Sequence, residues 1–197
     1  MRIKKILILF IFIFSFSNFN EVLSLEPDVF VQSIVNRASK ILSSNLNKEN
    51  RIEELKNIAD ETVDIEILGL YTLGSYRKNL SDDQKKIYAV LFREYFLKTF
   101  ASRLAEYSNP EIEVTSKRKI NEKYTIVSSS LVKTDKRPEV KIDWRVYTKN
   151  PENLLIRDLI IEGLSLARTQ KEEFLSIIQN NDEDINALFE TLREFIK

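Results

Sequence analysis

An alternation of apolar and polar side chains in residues 138–166 constrains the fold more than any other feature of the chain. The alternating apolar positions are Val140, Ile142, Trp144 and Val146. A period of two gives a β-strand one apolar and one polar face. Polar turn residues follow at 148–153, and a second strand is predicted at 154–161, interrupted by Arg157 and Asp158. These residues predict a hairpin whose apolar face covers a core or a pocket.

Two more strands are predicted directly before this hairpin. Alternation begins at Glu111, and after a polar turn a further strand runs over 124–134. Short links between four consecutive strands imply an antiparallel sheet in which sequence neighbours pair with one another.

Helical spacing of apolar residues predicts helices on both sides of these strands, at 27–46, 51–61, 64–73, 82–107, 167–179 and 183–196. The longest opens with a capping box at Ser81, and its wide aromatic stripe predicts a helix laid across the sheet. The predicted fold is therefore α+β, a curved four-stranded antiparallel sheet with helices packed on one face, around a core or an apolar cavity.

Two short motifs resemble ligand sites but are better explained structurally. Gly69 and Gly74 lack the other residues of a phosphate loop, so we predict close helix packing at Gly69 and a helix stop at Gly74. Asp182, Asp184 and Asn186 imitate the start of a calcium loop whose glycine is missing. Asp182 is therefore predicted to cap the last helix.

The N-terminus has the composition of an export signal. Three basic residues precede the unbroken apolar run at 6–14, and small or polar residues follow. The run is too short for a membrane span, which needs roughly 20 apolar residues. We predict a signal peptide at 1–24, cleaved after Ser24, and a single exported domain at 25–197.

Charge and cysteine content limit the partners of this domain. Removing residues 1–24 takes away three basic residues and one acid from the 30 of each kind, for a net charge of about −2. With a net charge this close to zero, no overall electrostatic field favours the binding of nucleic acid. The chain has no cysteine, so neither a disulfide nor a lipoprotein attachment site is possible.

The composition also argues against an enzyme. Without histidine and cysteine, His-containing nucleophilic triads, thiol chemistry and most zinc sites are excluded. Ser130 and Lys133 match Ser-x-x-Lys, but in a strand their side chains point to opposite faces.

Four charged residues lie within the predicted hairpin: Asp143, Arg145, Arg157 and Asp158. Paired acids can carry out acid–base chemistry. Because basic partners are close in sequence, we predict cross-strand ion pairs instead.

The remaining signal is an excess of apolar surface on helices and strands. A filled core and a lipid-sized cavity would use the same side chains, so the pattern alone leaves both open.

Several stretches resemble one known family, in the same order along the chain: 73–77 (Leu-Gly-x-Tyr), Tyr88, 92–95, Tyr107, 140–146, 158–166 and 169–174. The most specific is 158–166, Asp-x-x-x-Glu-Gly-[Val/Leu]-Ser followed by a hydrophobic residue. The family is MlaC, also called the toluene-tolerance family, and the resemblance runs from about residue 28 to 197.

The resemblance implies a soluble, monomeric periplasmic carrier with a fold similar to nuclear-transport-factor-like domains. It implies a bound glycerophospholipid, with the acyl tails in a deep cavity. The lipid would pass between an outer-membrane lipoprotein complex and an inner-membrane ABC transporter complex, maintaining outer-membrane lipid asymmetry. No catalysis, metal or other cofactor is implied.

Enclosure of the tails is physically necessary, because roughly 30 CH2 groups at ~0.8 kcal/mol each hold a two-chain lipid in a bilayer. Each candidate residue of the cavity wall could equally well belong to a filled core. The candidates are Val63, Ile67, Leu70, Tyr71, Leu91, Tyr95, Ile142, Trp144, Val146, Leu159 and Ile161. We interpret Asp158, Glu162 and Ser165 as structural or near the cavity mouth. The alternative function is a non-catalytic envelope adaptor or binding module with a filled core.

Overall fold

The structure is a computed structural model that describes residues 25–107, 110–135 and 137–197. The predicted signal peptide lies outside these residues. The helices are α1 (Pro27–Leu42), α2 (Lys48–Thr62), α3 (Ile65–Thr72), α4 (Asp82–Leu104), α5 (Leu166–Gln179) and α6 (Ile185–Ile196). The strands are β1 (Ile112–Lys119), β2 (Tyr124–Leu131), β3 (Val140–Tyr147), β4 (Leu155–Ile161) and β5 (Leu164–Ser165).

The strands form one open antiparallel sheet in the order β1-β2-β3-β4-β5. This confirms the α+β class and the pairing of sequence neighbours. The fifth strand was not predicted, because two residues are too few to show an alternation.

The position predicted for the longest helix is wrong. α4 packs against α2, α3 and α6, whereas α1 lies on β1 and β2, and α3 and α5 lie against β4. A wide apolar stripe shows that a helix is covered on several sides, but it does not distinguish a sheet from surrounding helices.

Local signals locate most of the helix ends. Ser81 and Gln84 form the predicted capping box at the start of α4. The predicted cap of α6 is wrong: Asp182 has a left-handed backbone with φ of 54°, and the Asp184 side chain instead accepts from the Asn186 amide. The cap lies two residues later because Asp182 and the next residue, Glu183 with φ of 60°, are both left-handed, so the helix begins only after them.

Both glycine predictions are confirmed. A Cβ on Gly69 would lie 2.8 Å from Cδ1 of Phe92, so only glycine lets α3 approach α4 this closely. Gly74 follows α3 with φ of 56°, the left-handed conformation that ends many helices.

Buried apolar side chains form separate groups. The helical cluster joins α3, α4, α5 and α6, and the sheet cluster joins α1, α2 and one face of β2, β3 and β4. A smaller group links α1, α2 and the C-terminal end of α4. Among the described residues, no helix has both the length and the apolar character to cross a membrane.

Candidate functional site

The apolar face of β3 and β4 brings five of the predicted wall residues together. Ile142 pairs with Ile161, and Trp144 pairs with Leu159. Val146 continues the same face and is fully buried, as is nearly all of Trp144, whereas the other three are half-buried. This face is therefore sealed at the Val146 end and only partly covered at the Ile161 end.

A hydrogen bond fixes the orientation of the tryptophan on this face. Nε1 of Trp144 donates to Oγ of Ser129 at 2.8 Å, and that hydroxyl donates to the Ile142 carbonyl at 3.2 Å. The polar edge of the indole is thus satisfied within the sheet, and its ring belongs to the apolar surface. This contact explains one member of the unusual serine run in β2.

Val63 lies at the junction of the two main clusters. Its side chain packs against both the helical cluster and the sheet cluster, and its backbone bridges to Ile156 at the start of β4. A ligand between the helices and the sheet would therefore meet this residue.

Leu91 and Tyr95 belong to the helical cluster rather than to the sheet face. The Tyr95 hydroxyl donates to Oε1 of Gln170 on α5 at 3.0 Å. Burial, followed by the charge of Glu173, raises the pKa of Tyr95. The Tyr95 ring therefore packs against the helical cluster with its hydroxyl satisfied, and its contact with lipid stays a prediction.

The three predicted wall residues on α3 are not gathered with the others. Ile67 and Tyr71 are 41% and 39% exposed, and Leu70 is half-buried. The ammonium of Lys171 lies 5.3 Å from the centre of the Tyr71 ring. Contact of these residues with lipid stays a prediction.

Two surface grooves occur in the described part of the chain. One, of about 560 Å³, lies between α1 and α2 and has charged residues along both sides. The other, of about 270 Å³, lies on the polar face of the sheet near Ser128 and Lys141. Neither groove is lined by a predicted wall residue, and among the described residues no group of three His, Cys, Asp or Glu side chains could hold a metal ion.

A β-bulge in β4 directs two consecutive charged side chains to the polar face. Asp158 pairs with Arg145 while Ile156 pairs with Val146, so Arg157 is an extra residue in the strand. Arg157 and Asp158 then each contact the start of a different helix.

Arg157 connects the sheet to the first turn of α3. Its guanidinium donates to Oδ2 of Asp64 at 2.8 Å and to the Tyr124 hydroxyl at 3.0 Å, and it lies 3.6 Å from the centre of the Tyr147 ring. Burial opposes the charged form, but these hydrogen bonds outweigh it and raise the pKa of Arg157. Asp64 also caps α3 by accepting from the Ile67 amide.

The predicted charge pairing is confirmed in part. Arg145 lies 3.8 Å from Asp158, as expected for a cross-strand pair. Arg157 pairs with Asp64 rather than within the hairpin, and Asp143 accepts from the Ser128 hydroxyl at 2.6 Å. Sequence reasoning missed Asp64, for which the only signal was its position before a helix.

The MlaC protein family matches residues 32–194 of the chain. The chain belongs to the MlaC family. No curated protein matches it in sequence.

The MlaC chain also shares its fold with solved structures. One is the phospholipid-binding protein from Ralstonia solanacearum, solved in complex with a phospholipid. It aligns with a TM-score of 0.73 and 18% sequence identity, over 87% of this chain and 97% of that chain.

The structure explains most of the 158–166 block of this MlaC chain. Asp158 accepts from the Ser165 hydroxyl at 2.7 Å and from the Ala167 amide at 3.1 Å, which fixes the start of α5. Glu162 and Gly163 have φ of 49° and 81°, the signs that a tight type I′ hairpin turn requires. Asp158 and Ser165 therefore have structural contacts, in line with their interpretation from the sequence.

Proposed function

We propose that this MlaC-family protein is a non-enzymatic carrier that holds a glycerophospholipid with its acyl tails against the apolar face of β3 and β4. The observation that carries the proposal is that this family member shares its fold with nearly the whole of a protein solved with a phospholipid. The tails would occupy the space between the sheet cluster and the helical cluster, next to Val63.

The chemistry of the proposed site suits acyl chains. Its side chains are aliphatic or aromatic, and the indole nitrogen of Trp144 is already satisfied by Ser129. Hydrocarbon on this face would add contact area without leaving a buried polar group unpaired. The half-buried state of Ile142, Leu159 and Ile161 leaves apolar surface for a ligand to cover.

The proposal also includes export to the periplasm and two membrane complexes as partners. The basic and apolar pattern of residues 1–24 supports removal of a signal peptide and residence in the periplasm. There, a monomeric carrier would exchange phospholipid between an outer-membrane lipoprotein complex and an inner-membrane ABC transporter complex and so maintain outer-membrane lipid asymmetry. A near-neutral surface suits this role, because it avoids permanent attachment to anionic membranes.

Two adjacent isoleucines provide a matched test. Ile161 lies on the apolar face opposite Ile142, whereas Ile160 pairs with Asp143 on the polar face, and both are half-buried. The mature protein is purified under native conditions, and co-purifying phospholipid is measured by mass spectrometry after solvent extraction. We expect lipid in the wild type and in Ile160→Glu, and loss of most of it in Ile161→Glu.

Two outcomes would contradict parts of this proposal, and the absence of bound lipid would favour the alternative function, a non-catalytic adaptor with a filled core. Wild-type protein that carries no phospholipid and takes none from vesicles would overturn the proposed function. Equal loading of the two isoleucine variants would leave a lipid carrier but would overturn the location of its tail site.

A further inference from the structure

Leu164 stands apart within the 158–166 block. Its side chain is 59% exposed, more than any other large hydrophobic side chain among the described residues. The neighbouring Asp158, Glu162 and Ser165 all make hydrogen bonds that hold the turn or the start of α5. Burial therefore does not account for an aliphatic residue at position 164.

The turn before Leu164 holds it in one position. Glu162 adopts a left-handed backbone, which is unfavourable for a residue with a side chain. Its amide donates to the Lys141 carbonyl at 3.0 Å, and its carboxylate accepts from the Lys141 amide. These contacts fix the hairpin, so the exposed leucine is presented by a rigid element rather than by a loose loop.

Strand pairing places Leu164 in line with the proposed tail site. Ile142 pairs with Ile161, and Ile161 pairs with Leu164, so the three side chains point to the same face of the sheet. We call these three residues the apolar row. Exposure rises along it, from half-buried Ile142 and Ile161 to exposed Leu164 at the free edge of the sheet.

We infer that Leu164 forms the outer end of the acyl-chain site, where a phospholipid tail enters and leaves the protein. This inference rests on the proposed function and adds a residue and an entry point to it. The occupant is an acyl chain, because the row is aliphatic throughout and continuous with the face that holds Trp144. A tail sliding along the row would exchange the bilayer for protein contacts stepwise instead of crossing water.

Val90 supplies a matched control for substitution. It is 58% exposed, almost equal to Leu164, but lies on α4 away from the sheet. The measurement is the rate at which wild type, Leu164→Asp and Val90→Asp take fluorescent-tailed phospholipid from vesicles. We expect uptake about tenfold slower for Leu164→Asp, the factor that corresponds to partial burial of one leucine side chain. Val90→Asp should match the wild type.

Leu164→Thr keeps a strand-forming residue at this position, and it should also slow uptake while leaving the thermal unfolding midpoint unchanged. Equal uptake rates for the wild type and both Leu164 variants would overturn the inference. Failure of the wild type itself to take up lipid would instead overturn the proposed function.

The absence of native cysteine allows a second, membrane-free measurement. Leu164→Cys and Val90→Cys are each labelled with a polarity-sensitive fluorophore, and emission is compared between delipidated and lipid-loaded protein. We expect a blue shift on loading at position 164 only. An unchanged label at 164 in fully loaded protein, together with slower uptake from vesicles, would assign Leu164 to docking on the membrane surface and overturn its contact with the tail.

Discussion

Arg157 and Asp158 are neighbours on β4, and each holds the first turn of a different helix. Arg157 binds Asp64 at the start of α3, and Asp158 accepts from Ser165 and Ala167 at the start of α5. The bulge allows both side chains to leave the same face of the strand. The two helices that lie against β4 are therefore positioned by two consecutive residues of that strand.

Removing the Asp158 carboxylate should destabilise the protein. Its side chain is nearly fully buried, so Asp158→Ala leaves the Ser165 hydroxyl and the Ala167 amide without their acceptor. We expect a loss of about 2–3 kcal/mol in the free energy of unfolding, measured by urea denaturation. Glu61→Ala, at an exposed ion pair with Arg37, should cost less than about 0.5 kcal/mol. Equal costs would contradict the anchoring role of Asp158.

Replacing Arg157 by lysine should not be conservative. Lysine keeps the charge but cannot at once stack on Tyr147, reach the Tyr124 hydroxyl and bind Asp64 through two nitrogens. We expect Arg157→Lys to lower the free energy of unfolding by about 2 kcal/mol. Arg37→Lys is the control and should leave the free energy of unfolding nearly unchanged, since the pair of Arg37 with Glu61 is exposed. An unchanged unfolding curve for Arg157→Lys would show that a positive charge alone is sufficient at position 157.

Gly69→Ala should destabilise the protein although alanine favours helices by about 1 kcal/mol over glycine. The added methyl group would meet the Phe92 ring at 2.8 Å, inside the helical cluster. We expect a net loss of about 1–3 kcal/mol by thermal or urea unfolding. The double variant with Phe92→Leu should lose less than the sum of the two single variants, and strict additivity would argue against this contact.

Tyr88 should make stability fall at alkaline pH. Its hydroxyl donates to Thr72, whose own hydroxyl donates to the Gly69 carbonyl, and burial raises the pKa of Tyr88 above its ordinary value of 10.0. The unfolded chain then loses this proton at lower pH than the folded chain. The contribution of Tyr88 to the free energy of unfolding is therefore fully present below pH 10 and decreases as pH rises beyond it.

The matching variant is Tyr88→Phe, which should lose about 1 kcal/mol at neutral pH through the missing hydrogen bond. Its free energy of unfolding should decline less steeply above pH 10 than that of the wild type, with Tyr95 supplying part of the remaining slope. Parallel pH profiles for the two proteins would contradict the role of Tyr88.

The sequence predicted features that depend on neighbours along the chain. The alternation around Trp144, the capping box at Ser81 and the helix end at Gly74 are all confirmed. The partners of long-range contacts could not be predicted: Asp64 lies 93 residues before Arg157, and nothing in either segment identifies the other. The packing partners of α4 were missed for the same reason.

For the candidate site, too, the strand residues were grouped correctly from the sequence, whereas the positions of the helical residues were not. Period-two alternation was enough to group the residues around Ile142 and Trp144, because strand pairing follows from pattern and short turns. Helical residues such as Ile67 and Leu91 could be assigned to an apolar stripe, but their distance from the sheet depends on tertiary packing. Leu164 belongs to the 158–166 block but was not among the predicted wall residues, because its exposure and its place beside Ile161 appear only in the folded chain.

Trp144 provides the most direct test of the account, since it is the chain's single tryptophan and lies on the proposed tail-binding face. The mature protein is loaded with phospholipid brominated on its acyl chains, and tryptophan emission is compared with that of protein loaded with the same lipid lacking bromine. Bromine quenches an indole only at close range, so we predict strong quenching by the brominated tails. Full loading with no quenching would contradict a tail site on the β3–β4 face.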